Sequence, residues 1–229
     1  MMRLAAALFA VILAAQAVAA HAGGLVMAFG DSLTNGLPVT WPSVLQARLN
    51  RGLPQAGLTV INAGIAGNRL LHGTADNPAG IERFDRDALD APGVRFVILL
   101  EGVNDIGWTY LSTNGDDHIT ADQLIAADRD LIAHAHARHV KIFGGTLTPM
   151  AHAAHPGYDS PEAELMREAV NRWIRSSHEF DAVIDFDVAL RDPDEKLRLR
   201  PEYDSGDHLH PNGVGEAAMA AAIDLTLFR

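Results

Sequence analysis

The sequence predicts an α/β chain built on a doubly wound, five-stranded parallel sheet. Five short apolar runs rich in β-branched residues recur along it, and the stretches between them carry helical spacing and helix punctuation. Runs that are continuously apolar, rather than alternating, belong to strands buried on both faces, which places the sheet between two helical layers. Right-handed crossovers should join the strands.

The runs are Leu25 to Phe29, Leu58 to Ile61, Phe96 to Leu100, Val140 to Phe143 and Ala182 to Phe186. Thr40 precedes Trp41-Pro42 and the apolar spacing Val44, Leu45 and Leu49, which Gly52 ends. Thr120 and Gln123 read as a capping box ahead of Leu124, Leu131 and Ile132. Ser160-Pro161 opens a further helix, whose Leu165, Ala169 and Trp173 at four-residue spacing should bury one face. A last helix follows Asn212. Leu71 to Gly80, Trp108 to Ile119 and Met150 to Ser160 read as irregular segments too long to be mere connectors. No repeat or linker divides the chain, so residues 23–229 read as one domain.

Residues 1–22 read as a secretory leader. Met1, Met2 and Arg3 precede a small and apolar run from Leu4 to Ala15, and Ala20-His21-Ala22 offers a small-x-small cleavage site, with Ala17-Val18-Ala19 as a second choice. The run is shorter than the roughly 20 apolar residues a membrane span needs. Export, with no stable membrane association after cleavage, is therefore expected. The net charge is −11, and loss of Arg3 makes it −12. Such a balance offers no electrostatic footprint for nucleic acid or anionic membranes. The absence of cysteine excludes disulfides, thiol catalysis and thiolate metal sites.

Ligands of an open parallel sheet bind outside the carboxyl ends of its strands, so residues just after each strand can converge. The first run stops at Gly30-Asp31-Ser32-Leu33-Thr34-Asn35-Gly36, which presents Ser32 as a candidate nucleophile; the same stretch serves equally as a strand-to-helix turn. The second leads to Gly67, the third to Glu101-Gly102-Val103-Asn104-Asp105. Near the end, Asp207 stands three residues before His210-Pro211. Taken singly, Gly67 and Asn104-Asp105 are more often turn residues.

Together these four segments resemble the SGNH hydrolase family, the GDSL esterases and lipases: Gly-Asp-Ser-Leu, the Gly67 turn, Gly-x-Asn-Asp and Asp-x-x-His-Pro occur in the family's order. The resemblance implies a three-layer α/β/α, flavodoxin-like sheet and a carboxylic ester hydrolase. Ser32 would be the nucleophile, His210 the base, Asp207 its orienting group, and the Ser32 and Gly67 N–H groups with the Asn104 amide the oxyanion donors. The wording also looks like a secreted subgroup of arylesterases and acylhydrolases associated with xylan breakdown, although the segment from Gly36 to Trp41 is short beside such relatives. Small acyl, aryl or carbohydrate esters are the favoured substrates. A lipase, lysophospholipase or thioesterase of the same family and a non-catalytic binding module are the alternatives.

No cofactor is expected, since all the implied groups come from the chain, and no phosphate-binding fingerprint is present. No metal site is expected either. His134, His136 and His139 fall at helical offsets that point apart, as a solvated surface would. His152 and His155 lie in the loop after the fourth strand, within reach of a substrate or simply exposed. His208 is read as a rim or loop-supporting residue, because a single turn returns Asp207 to His210 and not to its own neighbour. Asp31 and Asp105 are expected to bind backbone N–H groups. Trp41, Trp108, Tyr110, Tyr158 and Tyr203 are expected in loops or at helix starts; of these, Trp41 and Trp108 are the candidate substrate contacts, by sugar or aryl stacking.

Overall fold

A computed structural model describes residues 23–36, 39–113 and 115–229. The expected leader, residues 1–22, lies outside them. Five strands among the described residues, β1 (Leu25–Gly30), β2 (Thr59–Gly64), β3 (Val94–Leu100), β4 (Lys141–Gly145) and β5 (Ala182–Ile184), form one sheet in the order β2-β1-β3-β4-β5, every neighbouring pair parallel. The doubly wound expectation holds. β1 is buried along its whole length because it has neighbours on both edges and helices on both faces. β2, at the edge, is only partly covered.

The helices are α1 (Ser32–Asn35), α2 (Trp41–Gly52), α3 (Gly80–Phe84), α4 (Val103–Leu111), α5 (Ala121–Ala137), α6 (Pro161–Ser176), α7 (Phe186–Leu190) and α8 (Gly213–Ala222). α2, α7 and α8 pack together on one face of the sheet, and α5 packs against α6 on the other. Their starts are set by side chains that accept the free amides of a first turn. Thr40 and Ser43 form a capping box on α2, Thr120 and Gln123 another on α5. Ser160 caps α6 through the Ala163 N–H, and Asn212 caps α8 through the Val214 and Gly215 N–H groups.

Three expectations are corrected. Trp108 and Tyr110 belong to helix α4, which runs on to Leu111. Phe186 starts helix α7 and does not end β5, because Asp185 accepts the Val188 N–H and turns the chain. The buried face of α6 is Ala163, Arg167, Val170, Asn171 and Ile174, while Leu165 is 66% exposed. The cause is polar: Arg167 donates to Leu147 O (2.8 Å) and Asp187 (2.9 Å), and Asn171 bonds both the N–H and the C=O of Leu147. Satisfied polar groups are buried at little cost, so this face wins over the apolar spacing. Leu165→Ser should accordingly change unfolding free energy by no more than about 0.5 kcal/mol, against about 2–5 kcal/mol for Ile174→Ala. Urea denaturation of the two variants checks the assignment; a larger loss at Leu165 contradicts it.

Candidate active site

The order β2-β1-β3 makes the chain reverse direction of winding beside β1, and a crevice opens at the carboxyl ends of the strands there. The pocket of ≈ 330 Å³ at this edge is lined by Ser32, Asn35 and Gly36 after β1, Ala66 after β2, Ser205, Asp207, His210 and Pro211 from the loop before α8, and Glu216 from α8 itself. Ser32 is the first residue of α1; Asp31 accepts the Leu33 N–H (2.8 Å) and so fixes the turn that presents the hydroxyl.

Ser32 Oγ lies 2.9 Å from His210 Nε2, and His210 Nδ1 lies 2.6 Å from Asp207 Oδ2. An ionised carboxylate only accepts, so Nδ1 carries the proton, and in the neutral ring Nε2 is left with a lone pair facing the hydroxyl. Asp207 is held ionised. Partial burial pushes its carboxyl up, but the His210 N–H (2.8 Å), the His210 ring and the Leu209 N–H (3.0 Å) outweigh that and hold it well below the usual range. The line can carry a proton from serine to imidazole. His208 takes no part in it: its ring and N–H both bind the Asp204 carboxylate, and its φ of 61° places it in the left-handed region. It supports the loop.

Asn104 sits behind the pocket, 5% exposed. Its Nδ2 donates to Asn68 O (2.8 Å) and, at 3.3 Å, to Asp31 Oδ2, while the Tyr158 hydroxyl donates to its Oδ1 (2.7 Å). Because the Asn68 carbonyl can only accept, this network determines which end of the amide faces which way. Gly67 precedes Asn68 in a turn closed by the Asn68 N–H on Ile65 O (3.1 Å), and its φ of +69° is one that L side chains rarely adopt. Among the described residues, no protein group accepts from the Ser32 or Gly67 N–H.

Trp41 is placed differently from expectation. It is fully buried, its indole packed on Phe186 at 5.5 Å, and its backbone N–H donates to Glu216 Oε2 (2.6 Å); the pocket meets Glu216 and not the ring. Trp108 lies outside the pocket lining but stands one helical turn beyond Asn104, 41% exposed, with the Arg69 guanidinium 5.1 Å from its ring. His134 and His136 are exposed and pair with Asp85 and Asp181. His152 pairs with Glu195 (2.8 Å), whereas His155 comes to 3.9 Å from Asp207 Oδ2. Tyr158, Glu216 and Arg83 are the site's neighbours that sequence reasoning missed. Nothing local marks Tyr158 beyond its being aromatic, and Glu216 reads as an ordinary acid in a helix first turn.

Arg83 anchors the floor of the site. Its buried guanidinium donates to Gly30 O (2.8 Å), Ala63 O (2.8 Å) and Asn68 Oδ1 (2.6 Å), lies 3.5 Å from Glu101, and stacks 3.8 Å over Phe29. Asp105 accepts the Leu70 and Leu71 N–H groups, as expected of it.

A hydrogen-bonded serine, imidazole and carboxylate at the carboxyl edge of a parallel sheet are the layout of a hydrolytic enzyme on a flavodoxin-like frame. Residues 28–218 match the model of the GDSL-like Lipase/Acylhydrolase family, and the chain belongs to that family and is an ester hydrolase of the GDSL type. No curated protein matches it. Solved structures share its fold. Axe2, an acetylxylan esterase from Geobacillus stearothermophilus, is 20% identical with a TM-score of 0.67, over 87% of this chain and 92% of that one. LAE5, an alpha/beta hydrolase enzyme from the metagenome of Lake Arreo, Spain, is 18% identical with a TM-score of 0.66, over 87% and 93%. A G-D-S-L family protein from Desulfitobacterium hafniense is 19% identical with a TM-score of 0.63, over 87% and 97%.

Burial raises the Asp31 carboxyl to about 7 and that of Asp105 to about 6, and pushes Glu101 and Asp128 well up. The folded protein thus holds protons that the unfolded chain releases near 3.8. The stability that Asp31 and Asp105 contribute in this way is complete below that value and is lost as the pH rises through about 7 and about 6 respectively. Urea denaturation from about pH 4 to 8 should therefore show stability falling with pH, and Asp31→Asn should flatten the fall. An unchanged slope in that variant contradicts the assignment.

Proposed function

We propose that the chain is an exported serine esterase acting on small acyl, aryl or carbohydrate esters, and the observation that carries this reading is the hydrogen-bonded line from Asp207 through His210 to Ser32. Ser32 Oγ attacks the ester carbonyl as His210 Nε2 takes its proton. The same proton then goes to the departing alcohol, and water repeats the sequence on the acyl-enzyme. Asp207 keeps the imidazole in the tautomer that accepts from serine. The tetrahedral oxyanion meets the N–H groups of Ser32 and Gly67, which have no partner among the described residues, and the Nδ2 of Asn104, so three strand ends each supply one donor. Tyr158 holds the Asn104 amide from behind.

The pocket favours a small ester, since ≈ 330 Å³ lies at the low end for ligand sites. Trp108, on the same helical face as Asn104 and further out, is proposed as a stacking surface for the alcohol portion, such as a sugar ring. The fold likeness to an acetylxylan esterase makes acetylated xylo-oligosaccharides the first substrates to try.

With an aryl acetate, Ser32→Ala and His210→Ala should each lose several orders of magnitude in kcat, and the double variant should be little worse than either. His208→Gly, which suits the left-handed backbone there, should keep most of it. Asn104→Ala should lose about 100 to 1,000-fold, and Tyr158→Phe a smaller part of the same term, in kcat rather than KM. An active, folded His210→Ala overturns the assignment. Export is proposed from the leader pattern of residues 1–22. In a secreting host the released protein should begin at Gly23 by N-terminal sequencing, and an intact Met1 terminus counts against it.

A further inference from the structure

His155 is the one histidine of the loop between β4 and α6 that approaches the catalytic groups. Its ring stands edge-on to His210 with centroids 6.2 Å apart, and its Nε2 is 3.9 Å from Asp207 Oδ2. That separation is too long for a hydrogen bond. It is close to the spacing of two ligands on one ion: with Zn–N and Zn–O bonds near 2.0–2.1 Å, tetrahedral ligand atoms stand roughly 3.3 Å apart. One ligand atom from each of His155, Asp207 and His210 lies within 4.8 Å of the other two. We propose that His155, Asp207 and His210 together bind a divalent transition-metal ion of the zinc class, and that occupying this site reversibly shuts the enzyme off.

Three further features make the cluster a site. The loop is tied to the catalytic segment by the Ala154 N–H on Asp207 O (2.9 Å), so His155 is held beside its partners by the backbone next to it. Three donors orient the Asp207 carboxylate through Oδ1, which accepts from Ser205 Oγ, Leu209 N and His210 N, and Oδ2, bonded by His210 Nδ1, faces the two imidazoles. Supported carboxylates of this kind make good ligands. The His155 side chain is 54% exposed and the pocket is open, so an ion reaches the cluster from solvent. Two imidazoles and one carboxylate select zinc, copper or nickel over magnesium and calcium, which require mostly oxygen ligands.

Inhibition follows from the proposed mechanism, on which this part of the inference rests. An ion on His210 Nε2 consumes the lone pair that accepts the Ser32 proton. An ion on Nδ1 takes the place of the proton shared with Asp207, and that proton passes through solvent to Nε2, leaving a donor where catalysis needs an acceptor. No bond of the substrate is involved and no electron moves. The proposed reaction steps draw on no metal.

The test is a zinc titration of the full-length protein and of His155→Ala, read both by aryl acetate hydrolysis and by binding against a chromogenic zinc indicator. The wild type should bind one zinc ion with loss of activity that EDTA restores, and magnesium at the same concentration should do nothing. His155→Ala should keep the basal kcat/KM and need at least tenfold more zinc for half-inhibition. Ser32→Ala should bind zinc as the wild type does. Equal half-inhibitory zinc for wild type and His155→Ala overturns the site. Zinc bound through His155 with undiminished hydrolysis supports the site, but overturns the inhibition and with it the role of His210 as base.

Discussion

The buried guanidinium of Arg83 is the constraint on which the arrangement of the catalytic edge depends. At the carboxyl ends of a parallel sheet the chains diverge into loops, and the last carbonyls keep a lone pair for a further donor: Gly30 O accepts the Ile65 N–H (3.0 Å) and has room for a second bond. Arg83, projecting from the short helix α3, takes up that room: it binds the carbonyl of Gly30 at the end of β1, that of Ala63 near the end of β2, and the side chain of Asn68 beyond it. Its charge is met by the Asp87 carboxylate at 3.4 Å, one helical turn on, while Glu101, the residue after β3, lies 3.5 Å away. Burial itself pulls the guanidinium away from its charged form, and the acids around it oppose that. Removing one partner of such a buried pair typically costs about 3–5 kcal/mol, because the other is left uncompensated. Three strand ends are thereby held in one relation, and the Ser32 turn and the Gly67 turn both hang from them.

The second support is the loop from Met150 to Ser160, which reaches both halves of the site. Gly157 and Gly107 make its docking on α4 possible. A Cβ on Gly157 would lie 2.3 Å from the Gly107 carbonyl, and one on Gly107 would lie 2.3 Å from the Tyr158 ring. Backbone therefore packs directly on helix, and the Tyr158 hydroxyl is delivered to Asn104 one turn earlier. Three residues before Gly157, the Ala154 N–H binds the Asp207 carbonyl. A segment without regular structure thus couples the amide behind β3 to the carboxylate ahead of α8, by hydrogen bonds that an irregular backbone is free to aim.

The central strands were legible because burial on both faces leaves an apolar run, and β1 and β3 read almost to the residue. At the edges the signal weakens. β2 continues through Asn62 to Gly64 because half of it faces solvent and because the Asn62 side chain bonds the Thr34 carbonyl and the Gly64 N–H. The meeting of the candidate residues Ser32, Asp207 and His210 was legible from motifs whose partners sit at fixed offsets or at strand ends. Trp41 was misread for a physical reason: a tryptophan at a helix start is exposed only if nothing covers that turn, and here Phe186, from the start of α7 more than 140 residues away, does. Arg83 and Arg167 were illegible for the converse reason. A charged side chain is expected outside, and only the tertiary placement of accepting carbonyls and carboxylates makes burial tolerable.

The three proposed oxyanion donors start from unequal positions. The Ser32 and Gly67 N–H groups have no protein partner among the described residues, so they can meet the developing charge without giving anything up. Asn104 is already engaged. Its firm bond, to Asn68 O at 2.8 Å, keeps the amide in place, and its weak one, to Asp31 Oδ2 at 3.3 Å, is the hydrogen that can turn to the substrate. Burial has raised Asp31 to about 7, so near neutrality much of it is protonated and gives up that contact at small cost. Asp31 thus does two things from one position. It fixes the turn that carries Ser32 through the Leu33 N–H, and it holds the Asn104 amide only loosely enough to release it. A stronger acceptor there would order the resting site and weaken the transition state, because a donor contributes to rate only to the extent that its bond is better in the transition state than before it.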